Sequence, residues 1–311
     1  MTSDEIRDVF SRLGGIKITK EKINLNLTSP RVVQQLLTKY SLTAKKQLGQ
    51  NFLIDANILR KIVSAANLYP SDLVLEVGTG IGALTTALSE KAGHVLTIET
   101  DHSLAPLLEQ VLAGRDNVRV MFGDILQFNP ADLFKNSSVQ PKVVANLPYY
   151  ITTPILFHLL ESNVKWDSLV FLVQKEVAER IVSSPGNKVY GALSVMIQHY
   201  CKTEIVGVVP PTVFLPKPKV NSAIIRLIPK QEEFSRKIEK TFSLLVKTAF
   251  TYRRKNLYNS LRGIFDELGG ETKVMEAFET LNIKPSQRGE TLSPEEFYAL
   301  AAYCSKFFGE N

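Results

Sequence analysis

The sequence lacks the residues that several common kinds of functional site require. Only two of its 311 residues are cysteines, Cys201 and Cys304, and they are far apart in the chain. This argues against a disulfide framework and a cysteine-rich zinc site, and it suits a reducing cytosol. The four histidines do not have the close spacing of His-based metal sites, so we expect no metal.

Long hydrophobic runs and targeting signals are also lacking. No apolar run approaches the length that crosses a bilayer. The acidic opening at residues 1–5 is typical of neither a secretory signal nor an Arg-rich transit peptide. We therefore expect a cytoplasmic protein without a membrane partner.

Positive charge is concentrated in one part of the chain. The net charge is +6, yet residues 217–262 hold twelve Lys and Arg residues against three acids. A basic segment beside a nearly neutral remainder favours a polyanionic partner. A solvated, charged helix face is the alternative interpretation.

Strand and helix patterns alternate through the first two thirds of the chain. Five short apolar runs predict strands at 73–77, 94–99, 118–122, 142–145 and 168–173. This alternation predicts an α/β fold with a mostly parallel sheet and helices on both faces. After Pro229 only helical patterns follow. We predict an N-terminal extension (1–32), a catalytic α/β domain (33–230) and a smaller all-helical C-terminal domain (231–311).

A glycine turn follows the first predicted strand, where Gly78 and Gly80 let the backbone approach a ligand closely. Glu99 ends the next strand, where a carboxylate can accept hydrogen bonds from both hydroxyls of a ribose. The glycines also fit the dinucleotide fingerprint. The turn alone therefore leaves three interpretations open: a nicotinamide cofactor, S-adenosylmethionine, or a purely structural turn.

Asp124 ends the third predicted strand, at the edge where open α/β sheets bind ligands. A carboxylate at this position can accept a hydrogen bond from the adenine amine of a cofactor. A simple turn aspartate is the alternative interpretation.

The tetrapeptide Asn146-Leu147-Pro148-Tyr149 follows the fourth strand at the same edge. An adenine amine is a poor nucleophile because its lone pair is delocalised into the ring. The Asn146 side-chain oxygen and the Leu147 carbonyl can hold its N–H groups, while Pro148 fixes the backbone. Tyr149 offers a flat face on which an extruded base can stack. Catalysis would depend on positioning more than on proton transfer.

An Asn-x-Pro turn with a core tyrosine is the alternative interpretation of this tetrapeptide. The glycine turn, Glu99 and Asp124 lie at the neighbouring strand ends. Their coincidence with the tetrapeptide favours a functional site.

Seven ordered motifs resemble the ribosomal RNA adenine N6,N6-dimethyltransferases of the KsgA type over about residues 45–308. They are GQNFL at 49–53, EVGTG at 76–80, NLPY at 146–149, QKE at 174–176, YGxLSV at 190–195, the proline-rich stretch 210–222 and RRK at 253–255. The resemblance implies a Rossmann-like class I methyltransferase domain, a helical C-terminal domain and S-adenosyl-L-methionine as cofactor.

The resemblance also implies roles for single residues. Asn51 and Leu53 would cover the cofactor from the N-terminal side, and Tyr149 and Phe214 would sandwich the target base. The cofactor site itself would be lined by Gly78, Gly80, Glu99, Asp124 and Asn146. Two departures from the usual family pattern, Thr79 and Asn221, affect no predicted catalytic group.

The activity implied is transfer of two methyl groups to each of two adjacent adenosines near the 3′ end of small-subunit (16S) rRNA, coupled to ribosome biogenesis. The partner would be small-subunit rRNA or a partly assembled small subunit. The enzyme itself would be a monomer. The predicted RNA contacts are basic: Arg253, Arg254, Lys255, Lys217 and Lys219.

Three alternatives to this activity stay open. One is an adenine N6-methyltransferase acting on large-subunit rRNA, which the long C-terminal region disfavours. Another is a non-enzymatic ribosome-assembly or transcription factor on the same fold, which the intact tetrapeptide disfavours. The last is a nicotinamide oxidoreductase, for which the sequence offers no catalytic acid.

Overall fold

The computed structural model describes residues 16–17, 24–135, 137, 139–232 and 234–307. The chain divides into two compact units. The first comprises residues 1–178 and 204–229, and the second comprises residues 179–203 and 230–311. Most of the predicted N-terminal extension lies outside the described residues. Within it, residues 16–17 form a short strand that pairs with the sheet.

The division differs from the predicted 33–230 domain at residues 179–203, which belong to the helical unit. Hydrogen bonds give the physical reason. Gly186 N donates to the Glu290 carbonyl, and the Tyr190 hydroxyl donates to the Leu292 carbonyl at 2.8 Å. These long-range bonds leave no trace in local composition, so the sequence pattern could not assign the segment.

The strands of the structure are β1 (Ile16–Lys17), β2 (Phe52–Leu53), β3 (Leu73–Val77), β4 (His94–Glu99), β5 (Val118–Phe122), β6 (Lys142–Asn146), β7 (Ser168–Gln174), β8 (Cys201–Val209), β9 (Phe214–Leu215) and β10 (Ser222–Pro229). Eight of them form one sheet in the order β1-β5-β4-β3-β6-β7-β10-β8, and β2 pairs with β9 separately. The strands β3 to β7 run parallel, while β1 and β10 pair antiparallel with their neighbours. The predicted mostly parallel sheet is confirmed.

The register of the parallel strands brings their carboxyl ends to one edge. Glu99 at the end of β4 lies beside Phe122 of β5, and Asn146 at the end of β6 lies beside Leu172 of β7. All five residues of β3 are buried, as expected for a strand covered on both faces. Residues that follow β3, β4 and β6 therefore share one edge of the sheet.

The helices of the first unit flank this sheet. They are α1 (Pro30–Lys39), α2 (Ala56–Ala65), α3 (Ala83–Ser89), α4 (Ala105–Val111), α5 (Pro130–Leu133) and α6 (Thr152–Leu160), followed by α7 (Lys175–Ile181), which crosses the division between the units. The Asp55 side chain caps α2 by accepting from the backbone N–H groups of Asn57 and Ile58. Gly82, at φ +83°, allows the sharp entry into α3.

The second unit is mostly helical. Its further helices are α8 (Ala192–Tyr200), α9 (Arg236–Thr251), α10 (Leu257–Leu261), α11 (Glu271–Thr280) and α12 (Pro294–Cys304). Fully buried residues on α9 and α12, such as Phe242 and Phe297, form its core. The predicted combination of a Rossmann-like α/β fold with a helical C-terminal region is confirmed.

Among the described residues, no helix is long and apolar enough to cross a membrane. In the same residues, no group of three or more His, Cys, Asp or Glu side chains is arranged to hold a metal ion.

Candidate active site

A cleft of about 900 Å³, counted with its open mouth, lies in the first unit at the carboxyl ends of β3, β4 and β6. Its lining comes from residues 48–53, the glycine turn after β3, the end of β4 and the tetrapeptide after β6. Nine of its lining residues were predicted from the sequence: Asn51, Leu53, Gly78, Gly80, Glu99, Asn146, Leu147, Pro148 and Tyr149.

The glycine turn needs residues without a side chain. Gly78 and Gly80 have φ values of +82° and +54°, in the region that disfavours other residues. A Cβ on Gly78 would lie 3.7 Å from the Asn146 carbonyl oxygen, and one on Gly80 would lie 3.3 Å from the Phe52 ring. Both glycines therefore keep the floor of the cleft open.

Glu99 connects the turn to the next strand. Its Oε2 accepts from Gly80 N and its Oε1 from Asp101 N, each at 2.8 Å. Burial raises the pKa of this carboxyl, and the backbone hydrogen bonds oppose that rise. The two bonds hold the carboxylate in one orientation at the cleft, and each oxygen has further acceptor capacity.

Glu76 is a second buried carboxyl at this turn that the sequence reasoning did not single out. Burial raises its pKa to about 8, although a hydrogen bond from Thr85 opposes the shift. The Thr85 hydroxyl donates to Oε2 at 2.6 Å, while Oε1 is buried and has no hydrogen-bond partner among the described residues. Its place in the EVGTG motif was the available signal.

Asn146 is fixed by a contact across the cleft. Its Nδ2 donates to the backbone carbonyl oxygen of Asn51 at 3.1 Å. With the nitrogen engaged, Oδ1 is the group of this side chain that can accept a hydrogen bond from a ligand.

The rest of the tetrapeptide is held by the start of α6. The Pro148 carbonyl accepts from Ile151 N at 3.3 Å and from the Thr152 hydroxyl at 3.0 Å. Among the described residues, the Pro148 carbonyl accepts the hydrogen bonds of this turn, and the Leu147 carbonyl accepts none of them. Leu147 N is itself fixed by the Leu172 carbonyl at 3.1 Å.

Two adjacent tyrosines line the cleft. The Tyr149 hydroxyl lies 2.5 Å from the Ser222 hydroxyl on β10, and burial raises its pKa. Tyr150 is 54% exposed and its ring lies against the Gly49 backbone. Burial raises the pKa of Tyr150, and the negative charges of Asp124 and Glu99 add to that rise. Tyr150 was not predicted from the sequence, although the second of two consecutive tyrosines in this motif could have indicated it.

Two predicted site residues are not part of the cleft lining. Asp124 Oδ1 accepts from Leu126 N at 3.0 Å and so caps a short 3-10 turn, although its neighbour Ile125 does line the cleft. Phe214 is 1% exposed and pairs with Leu53 across β2 and β9. Its ring is packed in the hydrophobic core because this pairing buries it. Roles for both residues stay predictions.

The predicted RNA contacts are surface residues in both units. Arg253, Arg254 and Lys255 follow α9, and all three are exposed. The Arg253 guanidinium donates to Glu290 at 2.7 Å and to the Lys188 carbonyl at 2.6 Å. Lys255 lies over the Tyr252 ring at 4.6 Å. Lys217 and Lys219 are exposed in the loop between β9 and β10 of the first unit.

The first unit has the fold of the Rossmann-like class I methyltransferases, and its cleft fits their cofactor, S-adenosyl-L-methionine. Gly78 and Gly80 leave room for the ligand at the turn, and the Glu99 carboxylate offers acceptors for ribose hydroxyls.

Comparisons with known proteins identify the family. The model of the family described as ribosomal RNA adenine dimethylase matches residues 41–306. The chain is similar to the ribosomal RNA small subunit methyltransferase A of Streptococcus pneumoniae (strain CGSP14). The two are 45% identical over 275 residues, which cover 87% of this chain and 95% of the relative.

Two solved structures are also similar, each at 28% identity. A dimethyladenosine transferase from Plasmodium falciparum has a TM-score of 0.68, with 80% of this chain and 95% of that one covered. The 23S rRNA methyltransferase ErmE has a TM-score of 0.64, with 81% and 99% covered. The chain belongs to the ribosomal RNA adenine dimethylase family. It is an S-adenosyl-L-methionine-dependent rRNA adenine dimethyltransferase, which confirms the predicted class of enzyme and its cofactor.

Proposed function

We propose that this enzyme dimethylates N6 of two adjacent adenosines near the 3′ end of 16S rRNA, on a partly assembled small subunit. The 45% identity to a small-subunit rRNA methyltransferase supports the choice of subunit. The hydrogen bond from Asn146 Nδ2 to the Asn51 carbonyl is the observation that carries the chemistry. It leaves the Asn146 oxygen as the acceptor for the target amine.

In the first transfer, Asn146 Oδ1 and the Leu147 carbonyl accept hydrogen bonds from the two N–H groups of the adenine amine. In the second transfer, the methylated amine has one N–H left, which one of these two acceptors holds. Holding both groups draws the nitrogen toward a tetrahedral shape and directs its lone pair at the methyl group. The bonds from Ile151 and Thr152 to the Pro148 carbonyl keep this turn in place. The Leu147 carbonyl, which those bonds do not reach, is available for the amine.

Bound S-adenosyl-L-methionine would supply a methyl group on a positively charged sulfur, and the bond from N6 to this carbon would form as the carbon–sulfur bond breaks. Since the sulfonium carbon is a strong electrophile, the amine needs no general base before transfer, and its proton passes to water afterwards. The Tyr149 ring stacks on the extruded base, and its hydrogen bond with Ser222 sets the orientation of the ring. Burial raises the pKa of Tyr149 further above its ordinary range, so its hydroxyl is neutral at physiological pH, as for an ordinary tyrosine.

The basic residues that follow α9 and those between β9 and β10 contact RNA phosphates in this proposal. Their exposure supports this assignment. We also propose that the enzyme works as a monomer in the cytoplasm, and light scattering after size-exclusion chromatography measures the oligomeric state.

The substrate is tested with purified 30S and 50S subunits that lack the modification, incubated with methyl-labelled cofactor. We expect label in 16S rRNA alone and two dimethyladenosines next to each other in a 3′-terminal fragment examined by mass spectrometry. Label in 23S rRNA instead would contradict the proposed subunit. Label in 16S rRNA away from its 3′ end would contradict the proposed position.

A further inference from the structure

Residues 45–53 are fastened to the first unit at both ends, and residues 48–53 among them form one wall of the cleft. At the far end, Phe52 and Leu53 pair with β9, and Ile54 N donates to the Val213 carbonyl at 2.9 Å. At the near end the fastening is made by side chains. We call residues 45–53 the strap.

The near end is attached to Asp101, directly after β4. Lys45 Nζ donates to Asp101 Oδ1 at 2.6 Å, and Gln50 Nε2 donates to Asp101 Oδ2 at 2.9 Å. Gln50 Oε1 also accepts from Lys45 N at 2.8 Å, which closes the group into a ring of hydrogen bonds. Lys45 Nζ makes a further bond to the Ser103 hydroxyl at 3.0 Å.

Asp101 connects the strap to the glycine turn. Its backbone N–H donates to Glu99 Oε1, and the other oxygen of Glu99 accepts from Gly80 N. A continuous chain of hydrogen bonds therefore runs from Lys45 through Asp101 and Glu99 to Gly80. The chain includes the carboxylate of Glu99, which lines the cleft.

The charges in this group favour a closed strap. The Asp101 side chain is 3% exposed, whereas that of Lys45 is 37% exposed. Burial by itself would raise the pKa of Asp101, but hydrogen bonds from Lys45, Ser103 and Gln50 outweigh it and lower that pKa. Asp101 is thus a buried carboxylate whose charge is balanced by one lysine.

We propose that Lys45, Gln50 and Asp101 form a latch that holds the strap over the cofactor and thereby sets the affinity for S-adenosyl-L-methionine. The latch rests on the proposed placement of the cofactor in this cleft. Lys45 and Asp101 are positioning residues, because they lie outside the cleft lining and act through the strap and Glu99, whereas Gln50 also lines the cleft. When the latch is open, only the fraction of molecules with a closed strap is competent to bind, and the apparent affinity falls by that fraction.

The latch is tested with Asp101→Asn, which removes the charge and one acceptor, and with Lys45→Met, which keeps the length of the stem. The matched control is Lys91→Met, since Lys91 lies outside the strap and the cleft lining, is exposed and has no ion pair among the described residues. Calorimetric titration gives the Kd for S-adenosyl-L-methionine. We expect Kd to rise about tenfold in both latch variants, the size of losing one charge-assisted hydrogen bond, and to stay unchanged in the control.

Two further measurements separate positioning from general stability. At saturating cofactor we expect a wild-type kcat, with the loss confined to KM for the cofactor. The variant Lys45→Arg, which keeps the charge, should recover most of the affinity. If Asp101→Asn does not fold, Lys45→Met makes the same test, because the Lys45 side chain is partly exposed and lies outside the cleft lining.

Equal Kd values in folded latch variants and in the unaltered protein would overturn the latch while leaving the cofactor site intact. A lowered melting temperature with unchanged Kd would also overturn it, because the group would then be only structural. If the unaltered protein did not bind S-adenosyl-L-methionine, the placement of the cofactor would fail, and the latch with it.

Discussion

The side-chain amide of Asn146 donates to the backbone carbonyl of Asn51 at 3.1 Å, across 95 positions of the sequence. The contact joins the residue predicted to hold the target amine to the strap that forms one wall of the cleft. It fixes which end of the amide is engaged by the protein and which end is free for a ligand. The proposed chemistry depends on this orientation.

Tyr149 should act through its ring more than through its hydroxyl. Tyr149→Phe removes only the bond to Ser222, so we expect activity within a few-fold of wild type. Tyr149→Ala removes the stacking face, which is worth about 1–3 kcal/mol per base. We therefore expect a loss of roughly 10- to 100-fold in kcat/KM for the RNA substrate.

Ser222→Ala is the matched control for the tyrosine hydroxyl, since it removes the same hydrogen bond from the other side. In steady-state kinetics on small subunits, Ser222→Ala should have a kcat/KM close to that of Tyr149→Phe. A Tyr149→Ala enzyme with wild-type kcat/KM would rule out base stacking at this position.

Gly78 should be intolerant of a side chain because of the ligand it faces. Gly78→Ala places a Cβ at φ +82° in the cleft, whereas Gly186→Ala makes the same change at φ +81° with nothing within 4 Å. Both variants carry the backbone strain of a side chain at positive φ. We expect only Gly78→Ala to weaken cofactor binding, as measured by titration. A Gly78→Ala protein with the affinity of Gly186→Ala would contradict the placement of the cofactor at this turn.

Glu76 should make the protein less stable as the pH rises from 4.5 to 8. In the unfolded chain this carboxyl ionises near its ordinary value of 4.5, while in the folded protein burial holds its pKa at about 8. Between these values the folded state binds more protons than the unfolded state, so the free energy of unfolding falls with rising pH. The fall is about 1.4 kcal/mol for each pH unit over which the two states differ by a full proton.

Glu76→Gln removes this titration. We expect the variant to show a flatter dependence of melting temperature on pH between 5 and 8, and to gain most in stability over the wild type at pH 8. Thermal unfolding in matched buffers measures both slopes. Parallel curves for the two proteins would show that Glu76 does not titrate in this range.

Replacing Arg253, Arg254 and Lys255 together with alanine should weaken RNA binding and flatten its salt dependence. Removal of one contact to a phosphate reduces the slope of log K against log salt by about 0.7–0.9. The control removes three exposed basic residues of the first unit, Arg60, Lys91 and Lys135. Filter binding across a salt series measures the slopes. Equal slopes for the triple variant and the wild type would reject this RNA contact.

The sequence predicted best what depends on local structure. Strands β3, β4 and β6 are short apolar runs, and the residues that follow them meet at one edge whatever the details of packing. Gly78, Glu99 and Asn146 could therefore be assigned to one cleft, and the structure brings them together there. The fold class and the family activity were predicted correctly.

The sequence could not reveal what depends on distant contacts. Burial of Phe214 follows from its pairing with Leu53, more than 150 positions away. The latch between Lys45 and Asp101 also depends on a contact between residues far apart in the sequence. The assignment of residues 179–203 to the helical unit depends on such contacts too. Asp124 was placed at the correct strand end, yet its local turn engages one carboxylate oxygen.

The central claim is that Asn146 presents an acceptor to the adenine amine. Single-turnover methylation of unmodified small subunits by Asn146→Ala, with cofactor saturating, tests it most directly. We predict a loss of about 10²- to 10³-fold in the rate of methyl transfer, the effect of removing one positioned polar group. Methylation by Asn146→Ala at the wild-type rate would contradict the account.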